Sequence, residues 1–225
     1  MENFKHLKKV PLFSDVSDKD LKCLQKIAKV RKFAKGEIIF TEDTSGDCLY
    51  IVISGRVKIF AQQGNKKKTL AYLEKDEHFG EMALLDMEPR SASSEALDEC
   101  DLLVIKKHDF RTLLAQDPGI SLQIMRTLSH RLRLANKEIE SLSFENVLGR
   151  VASALLDLCS KYGESVAHGT RIKMPVSHKD IAELAGTGRE VVSRTLNRFR
   201  RLNCIKYDDH RLIITNAKKL REFIY

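Results

Sequence analysis

No run in the sequence approaches the ~18 uninterrupted apolar residues that a membrane-spanning helix needs. The first residues, MENFKHLKKVPLF, hold no apolar stretch followed by a small-residue cleavage site. The expectation from both absences is a cytoplasmic chain with no membrane partner. Cysteine is sparse: Cys23, Cys48, Cys100, Cys159 and Cys204 form no C-x-x-C pair and no zinc pattern. They are expected as reduced, scattered thiols, and no metal site is expected. Nucleophile elbow, P-loop and metal-ligand cluster are all missing, so the chain is not expected to be an enzyme.

What is present is 225 residues, 43% apolar and 31% charged. That is enough for one sizeable core or two modest ones, and it excludes a disordered tail. The net charge of +8 is uneven. Residues 146–225 hold 15 Lys and Arg against 8 Asp and Glu, whereas residues 1–145 hold 24 against 23. A basic end suits a polyanion or simply keeps a domain soluble, and position has to decide between the two.

Residues 31–107 alternate in the manner of strands, through Ile38-Ile39-Phe40, Leu49 to Ile53, Val57 to Phe60, Leu70 to Leu73 and Leu102 to Ile105. Gly36, Gly46, Gly55 and Gly64 punctuate them at intervals of about ten residues, which predicts a small antiparallel roll or barrel. In front of it, Ser17 with Asp20 opens a short helix carrying Leu21, Leu24, Ile27 and Ala28. Behind it, Asp109 to Ala115 reads as a brief helix, and Asp117-Pro118 supplies an N-cap and a first-turn proline. Met125, Leu128, Leu132, Ala135, Ile139 and Leu142 then recur with spacings of 3, 4, 3, 4 and 3. This is a heptad seam. Its flanks are polar (Arg126, Arg131, Arg133, Lys137, Glu138, Glu140), so the stripe is narrow and predicts pairing with the same helix of a second copy.

The last 80 residues read as mainly helical. Val151, Leu155, Leu156 and Leu158 mark a helix ending near Gly163, and Ile172-Lys173-Met174 reads as a short strand. Ser177-His178-Lys179-Asp180 is a capping box, followed by Ile181, Leu184, Ala185 and a turn at Gly186; Thr187-Gly188-Arg189-Glu190 has the pattern of a second box. Two short helices about a glycine turn make a helix-turn-helix. Ile205 to Tyr207 and Leu212 to Ile214 add a hairpin, and Asn216 caps a final helix, giving a winged arrangement. In the second helix Val192, Leu196 and Phe199 face inward with Thr195 at the edge, leaving Arg189, Glu190, Ser193, Arg194 and Asn197 outside. Arg can fork onto guanine, Glu can accept from cytosine, and Ser can bond a base or a phosphate. Arg198, Arg200, Arg201 and Lys206 suit the phosphate backbone.

The segment Ser177 to Leu202, the roll, the seam helix and Leu148-Gly149-Arg150-Val151-Ala152 resemble the cyclic-AMP receptor protein and fumarate-nitrate regulator family of bacterial transcription factors. The resemblance covers nearly the whole chain. It implies an α+β chain: an antiparallel effector-sensing β-roll over residues 1–116, a dimerisation helix over 117–145 and a winged helix-turn-helix over 146–225. It also implies a homodimer on palindromic double-stranded DNA, with RNA polymerase as a further partner. By resemblance the DNA contacts would come from Ser177, Thr187, Arg189, Glu190, Ser193, Arg194, Asn197 and Arg201. Two branches of the family place readers at Arg189, Glu190 and Arg194 or at Glu190, Ser193 and Arg194, and this sequence satisfies both.

Phe79-Gly80-Glu81-Met82-Ala83-Leu84-Leu85 with Pro89-Arg90-Ser91-Ala92 is the other specific motif. Backbone N–H groups after Gly80, the Arg90 fork and the Ser91 hydroxyl suit a phosphate. Glu81 fits only if it accepts from a sugar hydroxyl. The motif is similar to the phosphate-binding cassette of cyclic-nucleotide domains, which implies cyclic AMP or cyclic GMP held by Gly80, Glu81, Met82, Arg90 and Ser91, with Ala135 and Asn136 toward the base. The alternative is that Glu81 and Arg90 pair only with each other in a roll with another trigger, or that the roll is a nucleotide-controlled interaction module. Ala135-Asn136 and Ser93-Ser94 depart from the cyclic-AMP pattern. An iron–sulfur trigger needs clustered N-terminal cysteines, where only Cys23 stands. A haem trigger through His78 competes with its being an ordinary surface residue.

Overall fold

The structure, a computed structural model, describes residues 10–13, 16, 21, 27–209 and 211–224. The helix expected from Ser17 onward, and Cys23, fall largely outside them. The chain folds as two compact units, Met1–Leu132 and Arg133–Tyr225.

The first unit is a roll of two antiparallel four-stranded sheets. Strands β1 (Lys29–Phe33), β8 (Cys100–Lys106), β3 (Cys48–Ser54) and β6 (His78–Phe79) form one; β2 (Ile38–Phe40), β7 (Ser93–Ala96), β4 (Val57–Gln63) and β5 (Lys66–Leu73) form the other. The expectation of simple apolar–polar alternation needs correction at the central pair. On β3 and β8, Tyr50, Val52, Leu102 and Val104 point into the roll with Phe33, Val57 and Phe79, while Leu49, Ile51, Leu103 and Ile105 point the other way. There they meet Leu12, Phe13, Leu21, Phe110 and Leu113, together with Ile120 and Ile124. Both faces are covered, so these strands read as continuous apolar runs. Strands β1 and β7 escaped the sequence pattern because β1 buries only Phe33 and β7 carries Ser93 and Ser94 inside.

A helix at Lys107–Gln116 leads to the long helix Pro118–Phe144. The Asp117 carboxylate accepts from the N–H of Gly119 at 2.8 Å, the cap expected in front of Pro118. Ile120 and Ile124 anchor the start of this helix in the core of the first unit.

In the second unit a helix at Val147–Tyr162, capped by Asn146, buries Val151, Ala152, Leu155 and Leu158. The strand expected at Ile172–Met174 lies earlier, at β10 (Gly169–Ile172), paired with β9 (Gly163–Val166), which the sequence pattern did not mark. With β11 (Ile205–Asp208) and β12 (Arg211–Ile214) they make a sheet in the order β11-β12-β10-β9. Asn216 caps the last helix, Ala217–Arg221, by accepting from Lys219 N–H at 3.0 Å. No helix among the described residues is long and apolar enough to cross a membrane.

Candidate functional site

The cassette of the first unit begins where β6 ends. Gly80 has φ +81, and a Cβ there would sit 2.6 Å from Arg90 Nη1, so only glycine admits the Arg90 fork. Arg90 is 3% exposed. Its Nη1 donates to Gly80 O at 2.6 Å and its Nη2 to Cys48 O at 2.8 Å, while its guanidinium carbon lies 4.3 Å from the Phe40 ring centre. The rings of Phe40, Tyr50 and Phe79 pack against one another at 5.2 to 5.8 Å around it. Burial pushes this guanidinium below its ordinary value, with Tyr50 and then Asp47 opposing.

The expected alternative of a Glu81–Arg90 pair is corrected by the structure. Glu81 is 1% exposed, and its Oε1 accepts from Arg131 Nη1 at 2.5 Å. Arg131 comes from the long helix, and its Nη2 also donates to His78 O at 2.5 Å. Burial pushes the Glu81 carboxyl up, and Arg131 offsets this only in part. His78, weighed above as a surface residue, is buried; desolvation, then the Arg131 charge, lower it to about 4. Sequence could not have matched Arg131 to Glu81, because the partners lie 50 residues apart on different elements.

Several buried atoms around the cassette have no hydrogen-bond partner: Arg90 Nε, Glu81 Oε2, His78 Nε2 and Ser94 Oγ. A guanidinium has five N–H donors, so a buried Arg90 bonded to two carbonyls keeps donors for an anion, and Glu81 keeps an oxygen for a hydroxyl. That donor and acceptor set fits a phosphate joined to a sugar. Met82 and Ser91 are exposed, with the Ser91 hydroxyl 3.6 Å from the Met82 sulfur. Ser93 accepts from Glu42 N–H at 3.0 Å.

Along the long helix Met125, Leu132, Ile139 and Leu142 are 56, 63, 61 and 47% exposed, and Ala135 and Asn136 are exposed too. Leu128 is half-buried against the core of the first unit. Leu122 and Leu134 add exposed apolar surface that the heptad reading did not include.

In the second unit the helix His178–Ala185 starts at the expected box: Ser177 Oγ accepts from Asp180 N–H at 3.2 Å, and the Asp180 carboxylate accepts from Ser177 N–H at 2.8 Å. Gly186, at φ +60, ends it. The second box is a correction: the N-cap of the next helix, Arg189–Arg201, is Gly188, with no side-chain bond, and Thr187 stands one residue earlier. An extended Gly188 backbone turns the chain without a hydroxyl. Val192, Leu196 and Phe199 are buried as expected, each stabilising by about 2 kcal/mol, and Thr195 is buried with them. Arg189, Glu190, Arg194, Asn197, Arg198, Arg200 and Arg201 are exposed. Ser193 is half-buried, its hydroxyl 2.7 Å from His178 Nδ1, a contact the sequence reading did not include.

The family model of the cyclic nucleotide-binding domain matches residues 30–117, and that of the Crp-like helix-turn-helix domain matches residues 149–223. The chain is 33% identical to the cyclic AMP receptor protein of Thermus thermophilus over 97% of this chain and 99% of that one. It is 30% identical to the CRP-like cAMP-activated global transcriptional regulator of Mycobacterium tuberculosis over 95% and 96% of the two chains. Its fold matches the c-di-GMP responsive global regulator CLP of Xanthomonas campestris with TM-score 0.79 and 25% identity, covering 88% and 99% of the two chains.

Proposed function

The chain belongs to the cyclic-AMP receptor protein and fumarate-nitrate regulator family of transcription regulators, and from that premise we propose a homodimer that binds palindromic DNA under the control of a cyclic nucleotide. The observation that carries the effector is Arg90: a buried guanidinium, bonded to two main-chain carbonyls, that keeps N–H donors beside the open oxygen of Glu81. Arg90 and Ser91 would hold the phosphate with Gly80 and Met82, and Glu81 would accept from the ribose. The names of the Thermus and Mycobacterium relatives support cyclic AMP, while the Xanthomonas regulator responds to a different nucleotide.

In this proposal residues 1–116 sense, 117–145 pair two copies and 146–225 read DNA, in the cytoplasm and together with RNA polymerase. Arg131 ties the cassette to the long helix, so a change at Glu81 reaches that helix directly. The recognition helices have to stand about 34 Å apart to enter successive major grooves, which is what the trigger would adjust. Arg189, Glu190, Ser193, Arg194 and Asn197 would meet base edges, with Ser177, Thr187 and Arg201 on phosphates. Asn136 can both donate and accept while Ala135 offers a methyl, so weaker discrimination between cyclic AMP and cyclic GMP follows than from two hydroxyls.

Calorimetry with both nucleotides on the wild type and on Arg90→Leu tests the effector. Heat is expected from the folded wild type and none from Arg90→Leu. A folded wild type that gives no heat with either nucleotide overturns the nucleotide reading. Selection of bound sequences from random duplexes tests the DNA reading in the same samples.

A further inference from the structure

His178 is the first helical residue after the Ser177 N-cap, so the capping box holds its backbone. Its half-buried ring reaches across to the next helix, where Nδ1 stands 2.7 Å from Ser193 Oγ. On that helix Ser193 lies one turn after Arg189 and Glu190 and one turn before Asn197, with Arg194 beside it. These are the exposed side chains assigned above to base edges.

A serine hydroxyl has one proton, and a neutral imidazole has one N–H and one acceptor nitrogen. If Nδ1 accepts, the serine proton is committed to His178 and the hydroxyl can only accept, which suits the amino group of cytosine or adenine. If Nδ1 carries the proton and donates, the hydroxyl can donate outward, which suits guanine or thymine oxygen or a purine N7. We propose that His178 is a positioning residue for base readout, its ring contact with Ser193 fixing whether that hydroxyl offers a donor or an acceptor to the major groove. The proposal rests on the DNA reading above. It differs from a plain tie between two helices, because such a tie would strengthen binding to all sequences alike.

The test is selection of bound duplexes by the full chain and by Ser193→Ala, His178→Phe and His178→Asn. Phenylalanine keeps the ring and removes the nitrogen; asparagine keeps polar atoms near the position of Nδ1. His178→Phe is expected to lose about fivefold preference at one base pair per half-site, the same pair that Ser193→Ala affects, with the Arg194 pair unchanged. The double variant should lose no more than either single one, and His178→Asn should restore part of the preference. If Ser193→Ala changes one base pair and His178→Phe does not, the inference is overturned. It is equally overturned if His178→Phe weakens every sequence alike, or if Ser193→Ala changes no base preference. A wild type with no sequence preference at all would overturn the DNA reading itself.

Discussion

Arg131 is a residue whose removal separates two roles of one carboxylate. Arg131→Leu leaves the buried Glu81 without its cation, at a cost of about 2–3 kcal/mol. Thermal unfolding should show that loss, and Arg131→Leu with Glu81→Gln should recover most of it because the neutral amide needs no counter-charge. Unchanged stability in Arg131→Leu would count against the pair. His78 supplies a pH dependence of definite sign. Its folded-state value falls from 6.5 to about 4 through burial and Arg131, so the unfolded chain takes up its proton first. The stability present above pH ~6.5 is therefore lost as pH falls toward ~4, by up to about 3 kcal/mol. Glu81, pushed up by burial, binds its proton more readily when folded and works in the opposite direction. Denaturant unfolding across that window should show a shallower loss in His78→Asn than in the wild type; identical slopes would reject the assignment.

Among the elements, the recognition helix was the most legible, because Val192, Leu196 and Phe199 recur at helical spacing and all three are buried. Its start was less so. Thr187 has the side chain of a cap, yet Gly188 occupies the position, since backbone conformation and not composition selects the N-cap. The exposed face carries the next prediction. Arg194→Ala should weaken binding to the selected site by about 1–3 kcal/mol and relax preference at one base pair per half-site. Arg201→Ala should weaken all sequences alike and lower the salt dependence of binding. Uniform loss in both variants, measured by selection and titration, would place base readout elsewhere.

On the scale of the whole molecule, assembly is the property most open to a single substitution. Leu132 is 63% exposed in one chain and stands in mid-seam between Met125 and Ile139. Leu132→Asp would bring two carboxylates together near the two-fold axis of a paired helix, at a cost of several kcal/mol. Sedimentation should then show monomers with weak binding to the palindrome; an unaltered dimer would move the interface off this seam.

Periodicity and punctuation let the sequence alone determine most strands of the roll, the heptad helix, the Ser177 box and the inward face of the recognition helix, because each depends on residues close together in the chain; the strand order, which pairs Lys29 with Val104 and Cys48 with Lys106, does not. Contacts that sequence cannot pair were settled only in three dimensions: Glu81 with Arg131 at 50 residues' separation, Arg90 with Cys48 O at 42, and His178 with Ser193 at 15. The burial of His78, and of Ser93 and Ser94 on β7, belongs to the same class. Polar residues carry no hydrophobic signal of being inside, and whether they are buried depends on which strands and helices close over them.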